Sequence, residues 1–176
     1  MSERTTISET YLRQQRDLHL DPRYGVASLG FCETIKDLIP TWKVHSISDY
    51  GAGKCNLRQG LADLGVTGID YHPYDPAFPE YGEPKPADLV ACIDVLEHIE
   101  EEYLDNVLQD LRDITHRVGF ISVHTGPASK VLPDGRNAHL IQQRSGWWLL
   151  RICQYFDLVE LQSVRGGFWM VTRSKA

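Results

Sequence analysis

The 176-residue sequence predicts an α/β fold: a mostly parallel sheet with helices on both faces and a C-terminal antiparallel β-hairpin. Three observations carry this. Short runs of apolar and β-branched residues alternate with stretches of helical periodicity, the pattern of βα units. One such run, Asp88 to Ile93, is almost wholly apolar, as a parallel strand covered on both faces must be. Near the end, Leu158 to Val164 and Phe168 to Thr172 flank Arg165-Gly166-Gly167, a hairpin closed by a glycine-containing turn.

In chain order, residues 7–19 read as a helix with Ser8 as its cap and Tyr11, Gln15 and Leu18 along one side. Asp21-Pro22-Arg23-Tyr24-Gly25 breaks it, and a second helix carries Phe31, Ile35, Leu38 and Ile39 before Pro40 stops it. Two roles are open to this 1–43 helical cap. It covers a sheet edge, or Tyr24 and its neighbours fold over a bound ligand as a lid; plain packing is the default. The first strand runs from Val44 to Asp49 and the next helix from Asn56 to Leu64, ended by Gly65. A second strand, Ile69 to Tyr74, contains Pro73, which has no N–H for a ladder and belongs on an edge. Between Ala77 and Ala87 the chain is rich in Pro and Gly and too short for a helix and a strand, so the third strand unit is shortened or missing. After Asp88–Ile93 an amphipathic helix places Leu104, Val107, Leu108 and Leu111 on one face, and Val118 to Val123 is the following strand. A long loop spans 124–142, and residues 147–156 are helical.

Composition bounds the function. Hydrophobic residues make up 42% and charged residues 24%, the balance of a soluble globular chain, and one domain covers 1–176. The net charge of −6 and the lack of a basic stripe argue against nucleic acid as an unaided partner. Cys32, Cys55, Cys92 and Cys153 form no C-x-x-C pair and read as buried, reduced thiols; no metal site is expected. No apolar run is long enough for a membrane span, and a cytoplasmic location is the expectation.

The chemistry gathers at predicted strand ends. Ligands of such sheets sit beyond the carboxyl ends of the strands, near the point where strand order reverses. The first strand ends in Asp49-Tyr50-Gly51-Ala52-Gly53, the second in Asp75-Pro76 and the third in Asp94-Val95-Leu96-Glu97-His98-Ile99. Glycines let a ligand approach the backbone, and an acid at a strand end accepts hydroxyl protons. A plainer account also fits: Asp94 and Glu97 have the spacing of a helix capping box. In the long loop, His124, Lys130, Arg136, Asn137 and His139 fall within sixteen residues, either as a solvated loop or as a lid that orients a polar or anionic acceptor.

Asp49-Tyr50-Gly51-Ala52-Gly53 followed by Asp94-Val95-Leu96-Glu97-His98 resembles the class I S-adenosylmethionine (SAM)-dependent methyltransferase family over about residues 44–172. Tyr74-Asp75-Pro76 and Leu132-Pro133-Asp134-Gly135-Arg136-Asn137-Ala138-His139 are also similar to small bacterial and phage members of it. The resemblance implies a Rossmann-like core over 44–176 and a methyl transferase activity with SAM as cofactor. It implies that Gly51 and Gly53 pass under the methionine part, Asp49 anchors the turn, Asp75 holds the ribose, and Asp94 and Val95 line the methyl side. Asp70 competes with Asp75, lying 21 rather than 26 residues after Asp49, nearer the usual family spacing. Asp94, His98, His124 and His139 are the candidate catalytic groups, and Lys130, Arg136, Asn137 and His139 the candidate contacts to a small-molecule substrate. Cys55 stands where the family has a third glycine.

Overall fold

The computed structural model describes residues 4–175. Six strands form one sheet: β1 Ser46–Tyr50, β2 Asp70–Tyr74, β3 Ala87–Ile93, β4 Thr115–His124, β5 Phe156–Val164 and β6 Gly167–Ser174. Their spatial order is β2-β1-β3-β4-β6-β5. The first four are parallel; β6 pairs antiparallel with β4 and with β5, closing the hairpin at Arg165-Gly166. Order reverses between β2 and β3, on either side of β1. β2 is an edge strand, consistent with Pro73 within it. A single 3-10 turn, Pro79–Tyr81, stands between β2 and β3 where a helix and a further strand are missing.

The helices are α1 Glu9–Leu18, α2 Cys32–Trp42, α3 Asn56–Asp63, α4 Leu104–Ile114 and α5 Ser145–Ile152. Ser8 caps α1, its Oγ accepting from the Tyr11 amide at 3.2 Å. Pro40 does not stop α2; it lies in the last turn, and Lys43 in the left-handed region ends the helix. α5 starts at Ser145 and ends four residues earlier than the sequence indicates, because the chain turns at Cys153 into β5.

Each sheet face is covered by apolar packing. One layer joins Val90, Cys92 and Ile121 to the α4 stripe Leu104, Val107, Leu108 and Leu111, and to Trp148 and Ile152 of α5. The other joins Ile47, Leu89, Ala91 and Phe120 to Ile35 of α2 and Leu57 and Leu61 of α3. Burying a branched aliphatic or aromatic side chain contributes about 1.5–3 kcal/mol, so these two layers fix the sheet that presents the strand ends. α1 joins neither layer. Its Tyr11 packs on Leu132 and Ala138 of the loop after β4. Cys32 and Cys92 are buried, whereas Cys55 and Cys153 are only partly so. Among the described residues, no helix is long and apolar enough to cross a membrane.

Candidate active site

Where β1 runs out, the Gly51 and Ala52 amides both donate to Tyr74 O of β2, at 2.8 and 2.9 Å. Gly51 has φ +82°, and a Cβ there would stand 2.3 Å from Val95 Cγ2 at the end of β3. Only glycine combines that backbone angle with that approach. The Gly53 amide donates to Asp75 Oδ2 at 2.9 Å, and the Ala77 amide to Asp75 Oδ1 at 2.8 Å. One carboxylate thus stitches the end of β2 to the glycine turn, and each oxygen keeps a second lone pair. Cys55 itself takes a left-handed backbone, φ +57°, at the start of α3.

Asp49 lies beneath the turn, 3% exposed, and accepts a short hydrogen bond from the Tyr71 hydroxyl. Burial pushes its carboxyl up to about 7, with the Tyr71 bond opposing and the Asp75 charge adding. Burial also raises Asp75, against its two amide bonds and His19, whose Nε2 is 3.9 Å away. Asp94 ends β3 in the left-handed region, φ +54°, rare for a side chain other than glycine. Its amide donates to Ser122 Oγ at 3.0 Å and its carboxylate accepts from that hydroxyl at 3.3 Å.

The capping-box reading of Asp94 and Glu97 does not hold. Residues Leu96–His98 form a 3-10 turn without a side-chain cap, and Ile99 and Glu100 are extended. Glu97 is fully buried; its Oε1 accepts from the His124 amide at 2.6 Å, while Oε2 has no partner among the described residues. Burial, with Asp94 nearby, raises its carboxyl well above the ordinary range. It therefore ties the turn after β3 to the end of β4.

The three histidines meet. His98 and His139 rings are 4.7 Å apart and His124 and His139 rings 5.0 Å apart. His98 Nδ1 lies 2.8 Å from Ala138 O and His139 Nδ1 2.7 Å from Gly126 O. A carbonyl only accepts, so in both neutral rings Nδ1 carries the proton and Nε2 offers a lone pair. Desolvation and the neighbouring His139 lower His98 to about 3, and burial lowers His139 too. His124 Nδ1 lies 3.2 Å from both the amide and the carbonyl oxygen of Gly126, and its Nε2 faces Gly166 of the hairpin turn, 2.7 Å from where a Cβ would stand. That packing sets it apart from His98 and His139 as a proton acceptor.

A cavity of about 600 Å³ unites these groups. Asp49, Gly51, Gly53, Asp75, Asp94, Val95, His98, His124, Lys130 and His139 all line it. Three expectations need correction. Arg136 and Asn137 lie outside the lining. Arg136 pairs with Asp134 at 2.8 Å and lies over Tyr11, and Asn137 bonds both backbone groups of Ala128 at 2.9 Å, so each builds the loop. Lys130 reaches the cavity wall, yet its ammonium pairs with Asp21. Asp70 opens β2 at the opposite end of the sheet with its side chain exposed, leaving Asp75 as the acid at the strand's carboxyl end. The roof is α1 and the segment after it, through Tyr11, Gln15, His19 and Tyr24, while α2 packs on the sheet. His19 escaped sequence reasoning. The available signal was the four-residue spacing Tyr11, Gln15, His19, a polar stripe on an amphipathic helix.

Neither a protein-family model nor a curated protein matches the sequence. Solved structures do match by shape. The 1,6-didemethyltoxoflavin-N1-methyltransferase of Burkholderia thailandensis, with 1,6-didemethyltoxoflavin and S-adenosylhomocysteine bound, aligns over 100% of this chain and 94% of its own at a TM-score of 0.67 and 14% identity. The N-methyltransferase NodS of Bradyrhizobium japonicum, in complex with S-adenosylhomocysteine, aligns over 96% and 100% at 0.57 and 12%. The 16S rRNA methylase RmtB aligns over 97% and 77% at 0.54 and 12%. Strand order, hairpin and these alignments agree: the chain has the Rossmann-like fold of class I SAM-dependent methyltransferases.

Proposed function

We propose that the protein is a SAM-dependent methyltransferase acting on a small polar acceptor. The observation that carries this reading is the convergence of the carboxyl ends of β1, β2 and β3 on one cavity, at the place where strand order reverses. The volume, about 600 Å³, lies in the range of small-molecule sites. The residues present fit the cofactor: the space a Gly51 side chain would need is taken by Val95, and Asp75 has lone pairs left for the two hydroxyls of a ribose. Gly51 and Gly53 would lie under the methionine part, Asp49 would hold the turn from below, and Asp94 and Val95 would border the methyl side. Bound there, the cofactor supplies a methyl group on a sulfonium sulfur that leaves as a neutral thioether.

The chain's own part is positioning and proton removal. The roof residues Tyr24 and His19 exclude water over the glycine turn, and in-line alignment of donor and acceptor accounts for much of such a rate. As the acceptor forms its bond to carbon, it sheds a proton to the free Nε2 of His139, beside which the His98 ring stands. The roof and the acidic balance favour a small molecule over a nucleic acid.

Asp75→Ala tests the cofactor site. Calorimetry with S-adenosylhomocysteine should show binding weakened by about 2 kcal/mol, roughly thirty-fold. Unchanged affinity in a variant that keeps the native circular dichroism spectrum contradicts the ribose role.

A further inference from the structure

The wall formed by His98, His139 and Asp94 is rich in hydrogen-bond acceptors, and the cations of the cavity are engaged elsewhere. We infer that the methyl acceptor is an uncharged or cationic molecule that presents N–H or O–H groups to this wall, and that phosphorylated and other anionic compounds are excluded. This rests on the methyltransferase reading and narrows it.

The acceptors come first. His98 and His139 have their Nδ1 protons committed to Ala138 O and Gly126 O, so each turns a lone pair, not an N–H, toward its remaining neighbours. Beside them stands Asp94, a carboxylate that takes only one hydrogen bond, from Ser122. Across the cavity the lining carries the carboxylates Asp75, Asp94 and Glu100, with the buried acid Asp49 beneath the turn, against the two cations Arg23 and Lys130.

The cationic donors are engaged within the protein. Lys130 and Arg23 both pair with the single carboxylate of Asp21. Arg23 is 84% exposed and points to solvent. Lys54, next to the glycine turn, gives its ammonium to Asp21 O at 2.6 Å and Tyr24 O at 3.2 Å. The Tyr24 hydroxyl donates to Gln15 Oε1 at 3.2 Å, and the Gln15 amide donates to Tyr11. An anion at this wall would meet lone pairs and carboxylates with no uncommitted cation to pair with, which both desolvation and like-charge repulsion oppose. A donor-bearing molecule reverses every sign: its N–H or O–H finds Nε2, and the same bond is the path by which the proton leaves.

The experiment uses the full chain in two steps. Calorimetry with S-adenosylhomocysteine first reads the cofactor site. The protein is then incubated with SAM labelled in its methyl group and a small-molecule cell extract, and labelled products are separated on ion exchangers. Label should appear in the unretained and cation-exchange fractions. Label retained on the anion exchanger overturns the acceptor class and leaves the methyltransferase reading standing. Cofactor binding with no labelled small molecule also overturns it, whereas absence of cofactor binding overturns the methyltransferase reading itself. His139→Lys, which exchanges a lone pair for a donor at this wall, should reduce labelling at least tenfold with cofactor affinity kept; full labelling by that variant contradicts the proposed complementarity.

Discussion

At Gly51 a left-handed backbone and the methyl groups of Val95 leave no room for a side chain. Gly51→Ala should therefore cost about 2 kcal/mol of stability and abolish S-adenosylhomocysteine binding, read by denaturant unfolding and calorimetry. His98 gives a second residue-scale expectation, in acid. The unfolded ring takes up a proton as pH falls below 6.5, while the folded ring resists to about 3. Its contribution to stability is complete above 6.5 and is lost progressively between 6.5 and 3. His98→Gln should flatten this part of the pH profile, narrowing the difference between unfolding midpoints at pH 7 and pH 4.5. An equal difference in both proteins would show that the ring is not shielded. Single residues at strand ends were readable in the sequence because their neighbours in the chain determine them. Asp75, two residues from Ala77, is such a case. Arg136 lies outside the cavity lining because its guanidinium is held by Asp134, two residues before it.

Among the elements, α1 and the loop after β4 behave as one unit. The Lys130–Asp21 pair joins the loop to the segment behind α1, Gln14 bonds Asp134 at 2.8 Å, and Glu100 holds Ser8 through both its amide and its hydroxyl. Lys130→Ala removes one tie at a part-exposed site, so the unfolding midpoint should change little. Dissociation of S-adenosylhomocysteine, followed by stopped-flow displacement, should accelerate several-fold. An unaltered rate would mean that this tie does not hold the cavity shut. The cap of α1 was legible from Ser8 alone. The turn at Asp94–His98 was not: a three-residue acid spacing serves a helix cap or a bend equally, and the burial of Glu97 against the end of β4 decides it.

For the whole molecule, alternation of periodicities sufficed for the sheet, the hairpin and the missing unit after β2. The strand order itself follows from right-handed crossovers once the elements are known. What the sequence could not convey is which distant segments close the cavity. His19 and Tyr24 reach the glycine turn and the histidines through contacts 30 or more residues apart in the chain. That roof has a kinetic consequence. On the methyltransferase reading proposed above, one cover spans both the cofactor half and the acceptor half. Each cycle would then include an opening in which the spent cofactor is replaced, and the frequency of that opening would cap turnover.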